Sequence, residues 1–211
     1  MVIFLFIAIA YIKRVESNQS KLKDFVENKQ ELHDKLVDKF KRESSSGILS
    51  IDGDLSMRFE NAKTQFSDGS WDLKPEFKSQ LSVVIPKYLD VLLNDSLRYK
   101  IREIRIEGHT NTMPYPHLDK DPYMANLILS QRRALSVMYY IRSLPEYKNY
   151  SSEQQRQLEQ WFTATGMSYS RPLYSKFMGR EKINSEASKR VEIRIITSGE
   201  EILENFVEKI K

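Results

Sequence analysis

The chain has 211 residues, enough for one core-forming domain and an appendage. With 40% hydrophobic and 29% charged residues it is too apolar to be disordered. Its net charge of +4 is spread without the Lys/Arg runs that track phosphates, which argues against nucleic acid. The absence of cysteine excludes disulfides, thiolate chemistry and Cys-ligated zinc.

The first twelve residues, MVIFLFIAIAYI, are an apolar run. A bilayer core takes roughly 20 apolar residues in a helix, so this run is about half a span. A signal peptide carries basic residues before its apolar core and small residues after it, whereas here Lys13 and Arg14 come after the run. Residues 1–12 therefore read as a partial transmembrane helix, the outer half of a span whose first half precedes this sequence. Taken alone, Lys13 and Arg14 would set the next segment on the cytoplasmic side.

Residues 13–47 are highly charged, and no Gly or Pro occurs before Gly47. Leu22, Phe25, Leu32 and Leu36 recur at helical steps, interrupted by Lys29 and Lys39. This linker is either a solvated helix or a short parallel coiled coil between two copies. Ser44-Ser45-Ser46-Gly47 closes it.

From Ile48 the apolar period shortens, and Ile48–Phe59 reads as a strand or hairpin. The loop FSDGSWDLKPEF (66–77) places Pro75 at a helix start. Phe77, Leu81, Val84, Ile85, Tyr88 and Leu92 give that helix an apolar face, with Pro86 as a kink point. IREIRIEGHT is a strand, followed by a polar loop with three prolines. NLILSQRRALSVMYYIRSL is a second amphipathic helix, with Leu127, Ala134, Val137, Met138 and Ile141 turned inward. A short third helix spans 151–162, capped by Ser151 or Ser152 with Glu153 in its first turn. SKRVEIRIIT (188–197) is the last strand, and 199–211 reads as a C-terminal amphipathic helix. The order predicts an α+β domain over 48–198, a β-α-β-α-β sandwich with helices packed on a mixed sheet.

Four motifs carry a resemblance: FSDGSWDLKPEF, IEGHTNT, NLILSQRRALSV and SKRVEIRI, in that order, across roughly residues 55–196. Together they resemble the OmpA/MotB-like peptidoglycan-binding domains. That resemblance implies non-covalent binding of peptidoglycan through the diaminopimelate of its stem peptide. The ligand group carries an ammonium and a carboxylate on one carbon, so it calls for an anion and a forked cation held close together. Arg133 stands at the family's arginine position. The family's acid position is Asn111, which keeps hydrogen bonding without full charge and implies a roughly tenfold weaker contact. Asp119 and Asp121, in the longer loop after it, are candidate substitute acids. Thr110, Asn126 and Leu129 are expected to shape the pocket wall, and Arg190 to face the ligand or order a loop.

His109, His117, Asp119 and Asp121 match no metal-ligand spacing, and Ser130 has no base near it in sequence, so neither a metal, a cofactor nor a catalytic set is expected. The chain contains no barrel strands and no lipobox cysteine. An apolar segment, a charged linker and then the domain resemble MotB-type stator subunits. Within these, YMANLILSQRRALSVMYYI, SSEQQRQLEQWFTATGMSYS and SEASKRVEIRI resemble the ZorB subunits of Zorya anti-phage systems. The resemblance implies a single-pass inner-membrane protein with a periplasmic domain. Its implied partners are peptidoglycan, a MotA/ZorA-like membrane protein and a second copy of the chain. The alternative reading is a structural tether between membrane and wall with no motor.

Overall fold

A computed structural model describes residues 2–177 and 180–200; the helix expected over 199–211 lies outside the described residues from 201 onward. The chain opens with one continuous helix, α1 (Val2–Lys39). At about 1.5 Å per residue its 38 residues run roughly 57 Å. Its N-terminal third leaves Phe4, Phe6, Ile7, Tyr11 and Ile12 exposed. Among the described residues no helix is long and apolar enough to cross a membrane.

A short helix α2 (Lys41–Ser45) leads through Gly47, at φ 67°, into the hairpin β1 (Leu49–Ile51) and β2 (Ser56–Phe59). Then come α3 (Pro75–Leu92), β3 (Ile101–Gly108), α4 (Pro122–Ser143), α5 (Pro145–Asn149), α6 (Ser152–Trp161) and β4 (Phe162–Gly166). A separate hairpin β5 (Tyr174–Phe177) and β6 (Arg180–Ile183), a single turn α7 (Ser185–Ser188) and β7 (Val191–Thr197) complete the order. The main sheet runs β1-β2-β7-β3-β4. Among the described residues only β3 and β4 pair in parallel, joined by the crossover through α4 to α6; the other pairs are antiparallel. The expected α+β class with a mixed sheet is what the chain forms.

The alternation of strand residues divides the sheet into two unlike faces. Ile104 and Ile106 of β3, Ile193 and Ile195 of β7, and Met57 and Phe59 of β2 turn toward the helices. There they meet Phe77, Leu81, Ile85, Tyr88 and Leu92 of α3 and Ala134, Val137 and Ile141 of α4. Pro86 is accommodated inside an unbroken α3. Leu127 and Met138, expected to point inward, are only half-buried. Ser151 caps α6 through a reciprocal capping box with Gln154.

The expected seam on the linker has another use. Leu32, Leu36 and Phe40 are 0%, 1% and 0% exposed and belong to the same core cluster as α3 and the sheet. Lys100, almost fully buried, is ion-paired with Glu31 of α1, and Lys87 of α3 holds Glu43 at 2.6 Å. The C-terminal part of α1 is thus a structural element of the domain, and the packed unit begins well before Ile48.

Candidate functional site

The site is set by a close approach between helix and strand. A Cβ built on Gly108 would fall 2.0 Å from the carbonyl oxygen of Ser130, and one on Gly166 2.6 Å from the amide nitrogen of Gln131. Only glycine lets α4 lie this near β3 and β4. Ser130 fits the gap and fastens it: its hydroxyl donates to the Leu127 carbonyl at 2.9 Å and accepts from the Ser168 amide at 3.0 Å. One turn further along α4, on the same buried stripe, is Arg133.

Arg133 is 2% exposed. Its Nε donates to the Ser70 carbonyl at 2.9 Å and an Nη to the Ser67 carbonyl at 3.1 Å, and its guanidinium lies 4.9 Å from the centre of the Phe66 ring. Its partners are thus neutral carbonyls and a ring face; among the described residues no carboxylate forms an ion pair with it. Burial lowers its pKa to about 10, which leaves it cationic at neutral pH. The loop that supplies these carbonyls is itself anchored. Buried Gln65 accepts from the Val191 amide at 2.9 Å and donates to the Phe59 carbonyl at 3.1 Å, and Gly69, at φ 68°, passes beneath the Tyr115 ring.

Arg133 faces an open cavity of about 440 Å³. Lys63, Asp68, Lys74, Glu186 and Lys189 also line it, so four cations stand against two carboxylates. Lys189 donates to Asp68 and to Glu186 at 2.9 Å each. Burial opposes its charge, but these two hydrogen bonds outweigh that and hold its ammonium above the ordinary value.

None of the other expected site residues lines this cavity. Asn111 is buried next to it: its amide nitrogen donates to the Ser185 hydroxyl at 2.9 Å and its oxygen accepts from the Met113 amide at 3.1 Å. It therefore braces α7, the turn that carries Glu186, and does not line the cavity. Asn126, fully buried, donates to the carbonyls of Met113 and Pro122 and ties the same loop to α4. Thr110 is buried, with its amide bonded to the Ser168 carbonyl. Leu129 packs in a small second core with Tyr115 and Ala125. Asp119 and Asp121 are used locally and do not line the cavity. Asp119 accepts from the Asp121 amide, and Asp121 caps α4 by accepting from the Tyr123 and Met124 amides. Arg132, next to Arg133 on α4, stacks 4.3 Å above the Trp71 ring. Asp68, Glu186 and Lys189 escape a reading of the sequence because they converge from two segments more than a hundred positions apart; the only signal is that each falls within a quoted motif.

The opposite sheet face carries a buried charge network. Glu107, His109 and Glu192 could bring three ligand atoms within 4.8 Å of one another. His109 Nε2 lies 3.5 Å from Glu107 and 3.6 Å from Glu192. The carboxylates are already met by guanidinium groups. Arg190 and Arg58 reach Glu192 at 2.5 and 2.8 Å, and Arg171 and Arg105 reach Glu107 at 3.4 and 3.6 Å. So much positive charge makes a bound metal cation unfavourable, and the cluster acts as a structural network. Arg190 belongs to it and not to the cavity.

No protein-family model matches the chain. A protein named Zorya protein ZorB from Escherichia coli strain Crooks is 34% identical over 206 residues, 95% of this chain and 84% of that one. The chain belongs to the ZorB family. A second relative of the same name, from Escherichia coli O139:H28, is 33% identical over 134 residues, 62% of this chain and 48% of its own length. Among solved structures, distant likenesses include the OmpA-like domain of FopA1 from Francisella tularensis (17% identity, 71% of this chain and 81% of that one, TM-score 0.40). A C-terminal domain of Helicobacter pylori MotB is similar at 18% identity, over 67% of this chain and 94% of that one, with TM-score 0.42. The cavity motifs are thus carried by a ZorB-family chain.

Proposed function

We propose that this chain is the wall-anchoring subunit of a stator-like inner-membrane complex of the Zorya anti-phage type. In this reading the start of α1 lies in the inner membrane as part of a single pass, with the domain in the periplasm. Two copies assemble with a ZorA-like, MotA-like membrane partner. The domain holds peptidoglycan without chemistry, binding the diaminopimelate of the stem peptide in the cavity beside Arg133.

The observation that carries this reading is Arg133. A guanidinium held almost entirely out of solvent, with only carbonyls and a ring for company, is positioned for an external carboxylate. The family membership and the motif around Arg133 support the wall as the source of that carboxylate. The continuity of α1 into the core supports a tether that transmits load. The test is pull-down of the detergent-solubilised chain on purified diaminopimelate-type sacculi. Wild-type protein should sediment with them. Arg133→Ala should lose most of the binding and Arg133→Lys should retain an intermediate share, with circular dichroism showing both variants folded. Retention at the wild-type level in folded Arg133→Ala would remove this cavity from wall binding.

A further inference from the structure

The cavity has two electrical poles. Arg133 is its deeply set cationic pole, while Asp68 and Glu186 have side chains 66% and 53% exposed and reach toward solvent. Asp68 and Arg133 each sense the other's charge without forming an ion pair. The two carboxylates come from the loop after β2 and from α7, and both meet one alkylammonium, that of Lys189, at 2.9 Å each. Lys189 is only 13% exposed, so this ammonium is held and not merely near. The acidic pole is therefore already shaped for an –NH3+ group, and the chain supplies one from its own sequence.

We infer that Asp68 and Glu186 form the ammonium-binding half of this site and that the Lys189 ammonium is a resident stand-in, displaced when the ammonium of a zwitterionic amino-acid group enters while its carboxylate pairs with Arg133. The inference rests on the wall-binding reading above and specifies which side chains read the ligand's amine. Asn111 does not take that part: it lies outside the cavity lining, with its amide engaged by Ser185 and Met113. Exchange of one ammonium for another leaves the charge of the pole unchanged and both carboxylates paired. It also lowers affinity, since the competent state is the fraction with Lys189 swung away. Removing the competitor should therefore tighten binding, which no purely structural role for Lys189 would produce.

Two labelled stem tripeptides test this on the detergent-solubilised full chain by fluorescence anisotropy. One carries meso-diaminopimelate at its third position; the other carries 2-aminopimelate, which keeps the distal carboxylate and lacks the distal amine. Wild-type protein should prefer the first by roughly tenfold, the ratio expected between a charge-assisted and a neutral contact. Asp68→Asn with Glu186→Gln should erase that preference while leaving the aminopimelate affinity in place. Lys189→Met should raise affinity for the diaminopimelate peptide by about tenfold and leave the other unchanged. Equal wild-type affinities for the two peptides, with Arg133→Ala losing both, would overturn this inference and leave the wall-binding reading standing. Loss of affinity for both peptides in Lys189→Met would also overturn it, because Lys189 would then be an anion contact. No wild-type binding of either peptide, or full binding by Arg133→Ala, would overturn the underlying reading as well.

Discussion

Leu32→Ala distinguishes a docked α1 from a detached linker. The side chain is 0% exposed and sits among residues of α3 and the sheet. Burying a leucine contributes about 1.5–3 kcal/mol by transfer alone. The cavity left by truncation raises the expected loss to about 2–5 kcal/mol. For a chain of this size that corresponds to a fall in Tm of roughly 4–20 °C, at about 2–4 °C per kcal/mol. Asp38→Ala is the matched control, because Asp38 lies on the same helix and is exposed, so its change should stay within about 0.5 kcal/mol. The assay is urea unfolding of the full chain in detergent, monitored by the fluorescence of Trp71 and Trp161, both outside α1. Leu32→Ala should lower the midpoint at unchanged slope and keep a single transition. A midpoint matching that of Asp38→Ala would refute the docking and restore an independent linker.

Two further predictions concern the sheet. Gly108→Ala drives a Cβ against the Ser130 carbonyl at 2.0 Å, so α4 must shift; we expect a loss of at least about 1–3 kcal/mol together with weakened sacculus binding, and an unchanged melting curve would contradict the close-approach argument. The buried network predicts stability that climbs from acid to neutral pH. Burial raises the pKa of Glu107 and Glu192, but their bonds and charges from His109, Arg171 and Arg190 outweigh it and hold both below the ordinary 4.5, so their contribution is present above 4.5 and lost as pH falls through the folded values. His109 is held below 6.5, chiefly by burial, so the unfolded chain binds the proton more readily and stability rises with pH up to about 6.5. Urea midpoints across pH should show both phases in wild type and only the carboxylate phase in His109→Gln; persistence of the upper phase in that variant would refute the assignment.

The features legible in the sequence are those that rest on local periodicity and turn chemistry. The apolar stripe of α3, the alternation through Ile104 and Ile106, and the Ser151 cap are all short-range facts, and each appears at its place in the fold. Arg133 is legible because it sits inside a fixed-spacing helix motif, one turn after Ser130 and its glycine contact. The strand β4 escapes notice because FTATG is short, half-buried and led directly by a helix, so it shows no clear alternation. The hairpin of β5 and β6 escapes for a related reason: YSKF and REKI are largely polar, and every residue of β6 is exposed. The convergence that makes the acidic pole is not legible. Asp68 and Lys189 are 121 positions apart, and nothing in either segment announces the other. The nearby candidates Asp119 and Asp121 suggest themselves by proximity in sequence, yet a carboxylate just ahead of a helix is drawn to the free amides of its first turn, and Asp121 obeys that rule.

The docking of α1 also determines how two copies can meet. Leu32 and Leu36 are covered by their own domain, so in the proposed homodimer they are unavailable to a partner helix. A different stripe remains. Val15, Val26 and Val37 are 36%, 56% and 41% exposed, and half-buried Leu22 and His33 fall between them. At 3.6 residues per turn these five positions lie within roughly one-sixth of the circumference, about a quarter turn from the face that meets the domain. Their steps of seven and four make an eleven-residue repeat, which favours straight or slightly right-handed pairing over the left-handed supercoil of a heptad seam. The two uses of the helix are then compatible: one face is bound to the domain through Leu32, Leu36 and the Glu31–Lys100 pair, while in the proposed homodimer the exposed valines of the other stripe would meet the second copy. Because α1 is unbroken from Val2 to Lys39, displacement at its N-terminal end reaches the core through a continuous hydrogen-bonded rod, not through a slack tether. That continuity is what the proposed wall-anchoring role requires.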